Sequence, residues 1–282
     1  MRAVRFLASS DGPRIGRLEG ETVHDAGPAE SSGFVPSPDG WERIAHASGR
    51  QYALQDVRLL HPVSPAKLIG IGLNYLDHAE ESELAIPPVP VVFAMWPSAL
   101  TGHDATIVVP RDETRPDYEG EVAIVLGRTV KNATAEEART AIGGYSAFND
   151  VSGRRAQLET PLRQFTLGKS FDTFAPMGPC VASLDEAALG SLAVRTIVSG
   201  EVMQDSNTEN LIFSAEELVA YCSAGTTLEA GTVIATGTPG GVGDSRRPPR
   251  YLREGDVVEI SVDGVGTLRN RVGKEASAAD SA

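Results

Sequence analysis

Seven apolar, β-branched runs punctuate the chain between residues 91 and 272: Val91 to Ala94, Thr106 to Val109, Val122 to Leu126, Val194 to Val198, Thr232 to Thr236, Val257 to Val262 and Thr267 to Val272. Side chains branched at Cβ are stiff and pack well on a pleated surface, so these runs read as strands. Only two segments among them carry helix start signals. Thr134-x-x-Glu137 opens a stretch to Ile142 and Ser214-x-x-Glu217 opens one to Cys222, each a capping box in which hydroxyl and carboxylate satisfy the free amides of a first turn. Helices therefore do not alternate regularly with strands. That argues against a parallel βαβ sheet and predicts an α+β chain, mainly β, built on curved, mixed or antiparallel sheets.

Residues 1 to 60 are patterned differently. Short strand-like runs (Ala3 to Leu7, Gly16 to Leu18, Glu21 to His24) precede a helix expected over Gly40 to Gln55, which predicts a small N-terminal α+β domain. The prolines of His61-Pro-Val-Ser-Pro65 remove amide donors and fix the backbone, so a boundary is expected there, with the main domain at 66–272. The tail, 273–282, is small and polar and reads as disordered. A chain of 282 residues can bury a core of this two-part kind.

Composition excludes several classes of function. Mean hydropathy is -0.12, and no apolar stretch approaches the roughly 20 residues of a membrane helix. The first residues, MRAVRFLASSDGPR, lack the apolar segment of a secretory signal, which predicts a cytoplasmic protein. Acidic residues outnumber basic ones 38 to 25, and no basic run is interleaved with aromatics, so nucleic acid is not an expected partner. Arg246, Arg247 and Arg250 sit among prolines and read as a solvated turn. Cys180 and Cys222 are solitary and read as reduced, buried thiols.

The chemistry centres on Asp117-Tyr-Glu-Gly-Glu121. Glu119 and Glu121 are two apart at the start of a strand, where side chains share a face. Two carboxylates about 4 Å apart repel by roughly 4 kcal/mol at an effective dielectric of 20, so a sheltered pair needs a proton or a cation. A hard divalent ion with open coordination positions meets that need, and Asp150, ending the apolar run from Gly144, can supply a third carboxylate. On spacing alone, a polar sheet edge remains the competing reading. His78 and Glu81 are three apart in a short helical stretch, close enough for the carboxylate to orient the imidazole as a base. Two glycine-rich stretches are not nucleotide sites: Tyr75 stands where a dinucleotide fingerprint needs glycine, and Gly237 to Gly243 lacks the ending of a P-loop. The latter reads as an anion-binding turn for a carboxylate, made of its amides and Thr238.

Together, Asn74-Tyr-x-x-His78-x-x-Glu81, Asp117-Tyr-Glu-x-Glu121, Gly144-Tyr145, Asn149-Asp-Val-Ser152, Gly168-Lys-Ser-Phe-Asp172 and Gly237-Thr-Pro-x-Gly-Val-Gly243 resemble the fumarylacetoacetate hydrolase family over about Pro65 to Val272. The resemblance implies a mixed β-sheet roll, a homodimer, and a magnesium or manganese ion (Mg2+ or Mn2+) on Glu119, Glu121 and Asp150. It further implies that His78 and Glu81 move a proton or activate water, with Lys169 beside them, and that Arg154, Gln157, Tyr145 and Thr238 hold a small keto-acid substrate. The expected reaction is hydrolysis of a carbon-carbon bond in an acylpyruvate-type acid; decarboxylation or tautomerisation of oxaloacetate-like or 2-hydroxy-dienoate acids is the alternative, and a metal-binding relative without turnover the rival of another class. Two departures stand out. Met95-Trp96 replaces a common Lys-Pro, and Arg155 replaces a common acid, which suggests a pocket rebuilt for another substrate, with Trp96 adding apolar surface.

Overall fold

The computed structural model describes residues 1–8, 12–159, 161–184 and 189–276. Its backbone is mainly β, arranged as mixed sheets that roll around two apolar cores. The larger sheet has twelve strands. Its path runs from Gln51–Ala53 through Thr22–Pro28, Arg14–Glu19, Arg2–Leu7, Ala175–Ala182, Ile142–Asn149, Gly120–Leu126, Val233–Ala235 and Leu68–Gly72 to Val91–Met95. A five-stranded sheet, ordered Glu201–Asn207, Ala193–Val198, Val257–Val262, Gly266–Lys274 and Thr106–Val109, packs across its centre. Pairing is antiparallel except at three places, including Val233–Ala235 beside Leu68–Gly72 and Gly266–Lys274 beside Thr106–Val109.

The expected strands form, and both capping boxes are made: Thr134 caps Ala135–Ala141 and Ser214 caps Ala215–Ser223. The N-terminal helix is shorter than expected. It spans Pro38–Ala45, and residues 51–53 instead pair with 22–24, because a sheet edge offers their amides better partners than a helix that has passed Gly49. The tail is also ordered further than expected, since Gly273 and Lys274 extend the last strand and pair with Val108 and Val109. The rest of that tail from 277 lies outside the described residues. Strand Arg2–Leu7 pairs with Ala175–Ala182, so the N-terminal strands continue the sheet that carries the acids. No helix among the described residues is long and apolar enough to cross a membrane.

Strand Gly120–Leu126 is buried along its whole length and positions the site. Val122, Ile124 and Leu126 face the core shared with the five-stranded sheet, while Ala123 and Val125 face the other core. Alternation therefore sends Glu121 to the Ala123 side. Gly120, between the two glutamates, points the opposite way, where an added Cβ would lie 2.1 Å from Thr196 Oγ1. Only glycine fits there.

Candidate metal centre and active-site cavity

Glu119, Glu121 and Asp150 converge so that one oxygen from each lies within 4.8 Å of the others, and all three residues are buried. Glu121 comes from the central strand, Glu119 from the residue preceding it, and Asp150 from the end of Ile142–Asn149, whose amide donates to Glu119 O at 2.9 Å. Lys169 Nζ bridges two of the acids, 2.6 Å from Glu119 and 2.7 Å from Asp150. Arg154 donates to Glu119 at 2.6 Å and grips Asp117 through Nε and Nη2 at 3.0 and 2.8 Å.

Charge follows from these contacts. Burial opposes ionisation of Glu119, but Lys169 and Arg154 outweigh it and hold its carboxyl at about 2. Burial raises Asp150 to about 6 despite Lys169. Glu121 forms no ion pair among the described residues; burial, then Asp150 and Glu119, push it well above the usual carboxylate range against the weaker pull of Lys169. Asp117, Glu119, Glu121 and Asp150 are buried against Arg154 and Lys169, so ionising all four carboxylates would leave two negative charges unbalanced, which is why Glu121 and Asp150 are pushed up. Asp150 Oδ1 is buried and without a hydrogen-bond partner. A hard cation of charge two fits both observations: it would take Asp150 Oδ1 and the acidic Glu121 as ligands and complete the balance.

Beside the acids opens a cavity of about 660 Å³. Its floor is buried and polar, with Glu119, Arg154, Gln157, Lys169 and Thr238; Phe93, Phe165, Leu158 and Val242 add apolar surface, Glu83, Asp244 and Ser245 polar surface, and Arg163 and Arg247 line it as exposed cations. His78 and Glu81 line it from the helix Leu76–Glu81, with Nδ1 3.6 Å from Oε2. Burial works against the Glu81 charge, yet His78, the Gly241 amide and Arg246 prevail and hold its carboxyl below the usual range. The acid beside His78 therefore stays ionised, ready to stabilise an imidazolium.

Over residues 67–273 the sequence matches the family described as fumarylacetoacetate (FAA) hydrolase C-terminal, and residues 1–62 match Rv2993c-like, N-terminal. The chain belongs to the fumarylacetoacetate hydrolase family. Among relatives, it is 43% identical over 231 residues to the oxaloacetate tautomerase YisK of Bacillus subtilis, covering 79% of this chain and 75% of that protein. It is 36% identical over 287 residues to the mitochondrial oxaloacetate tautomerase fahd2 of Xenopus laevis, covering 96% and 90%. A solved structure titled 5-carboxymethyl-2-hydroxymuconate delta-isomerase, from Mycobacterium smegmatis, superposes with a TM-score of 0.81 at 36% identity, covering 98% of this chain and all of that one.

In this fumarylacetoacetate hydrolase family member, nine of the ten expected site residues gather at the acids or the cavity. Tyr145 does not. It pairs with Ile124 and so faces the core opposite to Glu121, lining a separate cavity with Ile142 and Glu216. Thr238 lines the cavity, but its hydroxyl already donates to Gly120 O at 3.0 Å and accepts from Gln204 at 2.8 Å. The two departures also miss the pocket: Met95 is core, Trp96 is exposed outside the cavity lining, and Arg155 pairs with Glu159 at 3.4 Å. The expected remodelling by Met95, Trp96 and Arg155 is therefore replaced by apolar surface from Phe93 and Phe165.

The glycine-rich turn binds carboxylates, as expected, but they are the protein's own. Gly237 donates to Glu121 at 2.9 Å, Gly240 to Asp77 at 3.2 Å, Gly241 to Glu81 at 2.9 Å, and Gly243 and Asp244 to Asp117 at 2.8 and 3.0 Å. The arginines after it are less solvated than expected: Arg246 binds Tyr118 and Met203 O, and Arg250 binds Asp256. Cys180 is buried, its thiol donating to Val265 O at 3.1 Å, and Cys222 is half-buried, with burial pushing its thiol up to about 11. Sequence reasoning missed Gln204, which satisfies Gly120 N, Thr196, Thr238 and Pro239 O together from a strand with no recognisable signal. It also left Asp117 without a role, although Asp117 opens the most acidic motif of the chain.

Proposed function

We propose that this protein is a divalent-metal-dependent tautomerase that moves a proton between carbon and oxygen of a small keto acid of the oxaloacetate or 2-hydroxy-dienoate kind. The observation that carries this reading is the His78–Glu81 pair lining the same cavity as Glu119, one of the three clustered acids, and Lys169, which bridges Glu119 to Asp150. The relatives named above, two oxaloacetate tautomerases and a delta-isomerase, support proton transfer over the hydrolysis expected from the motifs.

A magnesium or manganese ion on Glu119, Glu121 and Asp150 would polarise the carboxylate and keto oxygens of such an acid and lower the energy of its enolate. The protein's side chains do the rest. Lys169 donates to Glu119 and Asp150 with two of its three protons and lines the cavity, which leaves the third for a substrate oxygen. Gln157 accepts from Arg154 through Oε1 at 3.0 Å, which leaves its amide protons for a carboxylate. His78 takes the proton from the carbon next to the keto group and returns it to the oxygen or to the far carbon, while ionised Glu81 steadies the charged ring. Phe93, Phe165, Leu158 and Val242 give the substrate's carbon chain apolar surface, and Arg163 and Arg247 offer cations to a dianion on a chain whose net charge is -13.

The test follows the enol absorbance of oxaloacetate as it converts to the keto form, with manganese or with chelator, beside acylpyruvate cleavage in the same preparation. Metal-dependent enol–keto conversion with negligible cleavage supports the proposal. Cleavage as fast as conversion returns the assignment to hydrolysis, and stoichiometric metal binding without turnover of either acid points to a non-catalytic binder.

A further inference from the structure

The helix Leu76–Glu81 carries His78 yet has little of its own to hold it in place. It is six residues long, no side chain caps its start, and only Ala79 is buried. A helix this short does not persist in water without outside contacts. Here the contacts come from two carboxylates. Asp77 accepts from the Gly240 amide at 3.2 Å through Oδ1 and from the Ser206 hydroxyl at 2.5 Å through Oδ2. One turn later, Glu81 accepts from the Gly241 amide at 2.9 Å. Spacing of i, i+4 sets both carboxylates on one helix face, opposite consecutive amides of the loop. Asn210 in turn donates to Ser206 at 3.0 Å and fixes the hydroxyl. The same loop is fastened to the metal centre through Gly237 and Glu121.

We propose that Asp77 is a positioning residue that latches the helix bearing His78 onto the glycine-rich loop, so that the imidazole is held at a set place beside the acid cluster. Asp77 is absent from the cavity lining, and its hydrogen bonds go to Gly240 and Ser206, so it acts through the helix. Glycine at 240 is part of the latch. A Cβ there would sit 3.3 Å from Asp77 O, at the limit of tolerable approach. This inference rests on the proton-transfer reading of the site.

The experiment compares wild type, Asp77→Ala, Asp77→Asn and Ser206→Ala as full-length proteins. Hydrogen exchange of amides 78–84 reports the latch without reference to catalysis, and oxaloacetate turnover with manganese reports its consequence. In Asp77→Ala these amides exchange about tenfold faster or more while the melting temperature stays within a few degrees, as for a local opening. Its kcat falls about tenfold to a hundredfold, the cost of a displaced reacting group, while KM and manganese affinity stay within about twofold. Ser206→Ala moves the same way by less, and Asp77→Asn, which keeps an acceptor toward Gly240, recovers most of kcat. Unchanged exchange in Asp77→Ala overturns the latch, whatever the turnover. Faster exchange with unchanged kcat, or a loss of kcat matched by loss of manganese binding, overturns the positioning role. If wild type converts no keto acid, the proposed function falls, while the exchange comparison still decides the latch.

Discussion

Glu121 is held by geometry where charge alone would not keep it. Its neighbours are two other acids, and one Gly237 amide is its hydrogen-bond donor, so its ionised form depends on a cation arriving. Glu121→Gln or Asp150→Asn is expected to weaken manganese binding, measured by calorimetry, by a hundredfold or more, beyond the roughly 10- to 100-fold typical of residues that only support a ligand. His78→Ala is expected to behave differently. It leaves metal affinity unchanged and lowers kcat on the order of 10²- to 10⁴-fold, the usual range for a lost general base. Equal loss of metal binding in His78→Ala would count against its separate role. Both sets of residues were legible before folding, because the acids and the dyad lie within short motifs whose spacing survives in any strand or helix. Tyr145 was not: whether it meets the acids depends on its pairing with Ile124, which sequence spacing does not specify.

Among elements, the loop from Gly237 to Asp244 shows how a glycine-rich motif can be read correctly in kind and wrongly in partner. An amide-rich turn attracts anions, and the chain supplies four of them from two distant segments. Gly241 adopts φ +100, and a Cβ there would lie 2.2 Å from Met203 O. Gly241→Ala is therefore expected to destabilise the fold by about 1 to 3 kcal/mol or more and to cut turnover together with it; urea unfolding against wild type measures the first. A variant as stable as wild type would mean that the loop yields. The helix expected to run from Gly40 to Gln55 failed for an element-scale reason: residues 51–53 found an open edge at Thr22–His24, and strand pairing outcompeted local propensity.

For the whole molecule, the balance of buried charge sets how stability depends on pH. Glu121 and Asp150 have folded pKa values raised above those of the unfolded chain, so what they contribute is present below about pH 4 and is lost as pH climbs through about 6 for Asp150 and higher for Glu121. Glu119 has the opposite sign: held at about 2, it contributes above the ordinary carboxylate pKa and loses that only as pH falls toward 2. In chelator, the protein is therefore expected to lose stability between about pH 5 and 8. Saturating manganese should reverse the loss at the upper end, by about 2.7 kcal/mol at a hundredfold excess over Kd. Thermal unfolding at both pH values, with and without metal, checks this; a metal-free protein equally stable at both would contradict the charge balance.

The amino-acid order by itself determined the seven apolar strands between residues 91 and 272, where the two capped helices start, and that three acids and a histidine–glutamate pair exist, since these depend on backbone preference and on neighbours a few residues apart. Only the tertiary structure decided which faces those strands present, that the N-terminal strands extend the sheet carrying the acids, that the glycine-rich amides serve the protein's own carboxylates, and that Gln204 and Asp77 support the site. Those outcomes rest on register and on contacts between residues far apart in the chain, 34 positions for Gln204 and Thr238 and 163 for Asp77 and Gly240, which no local preference encodes.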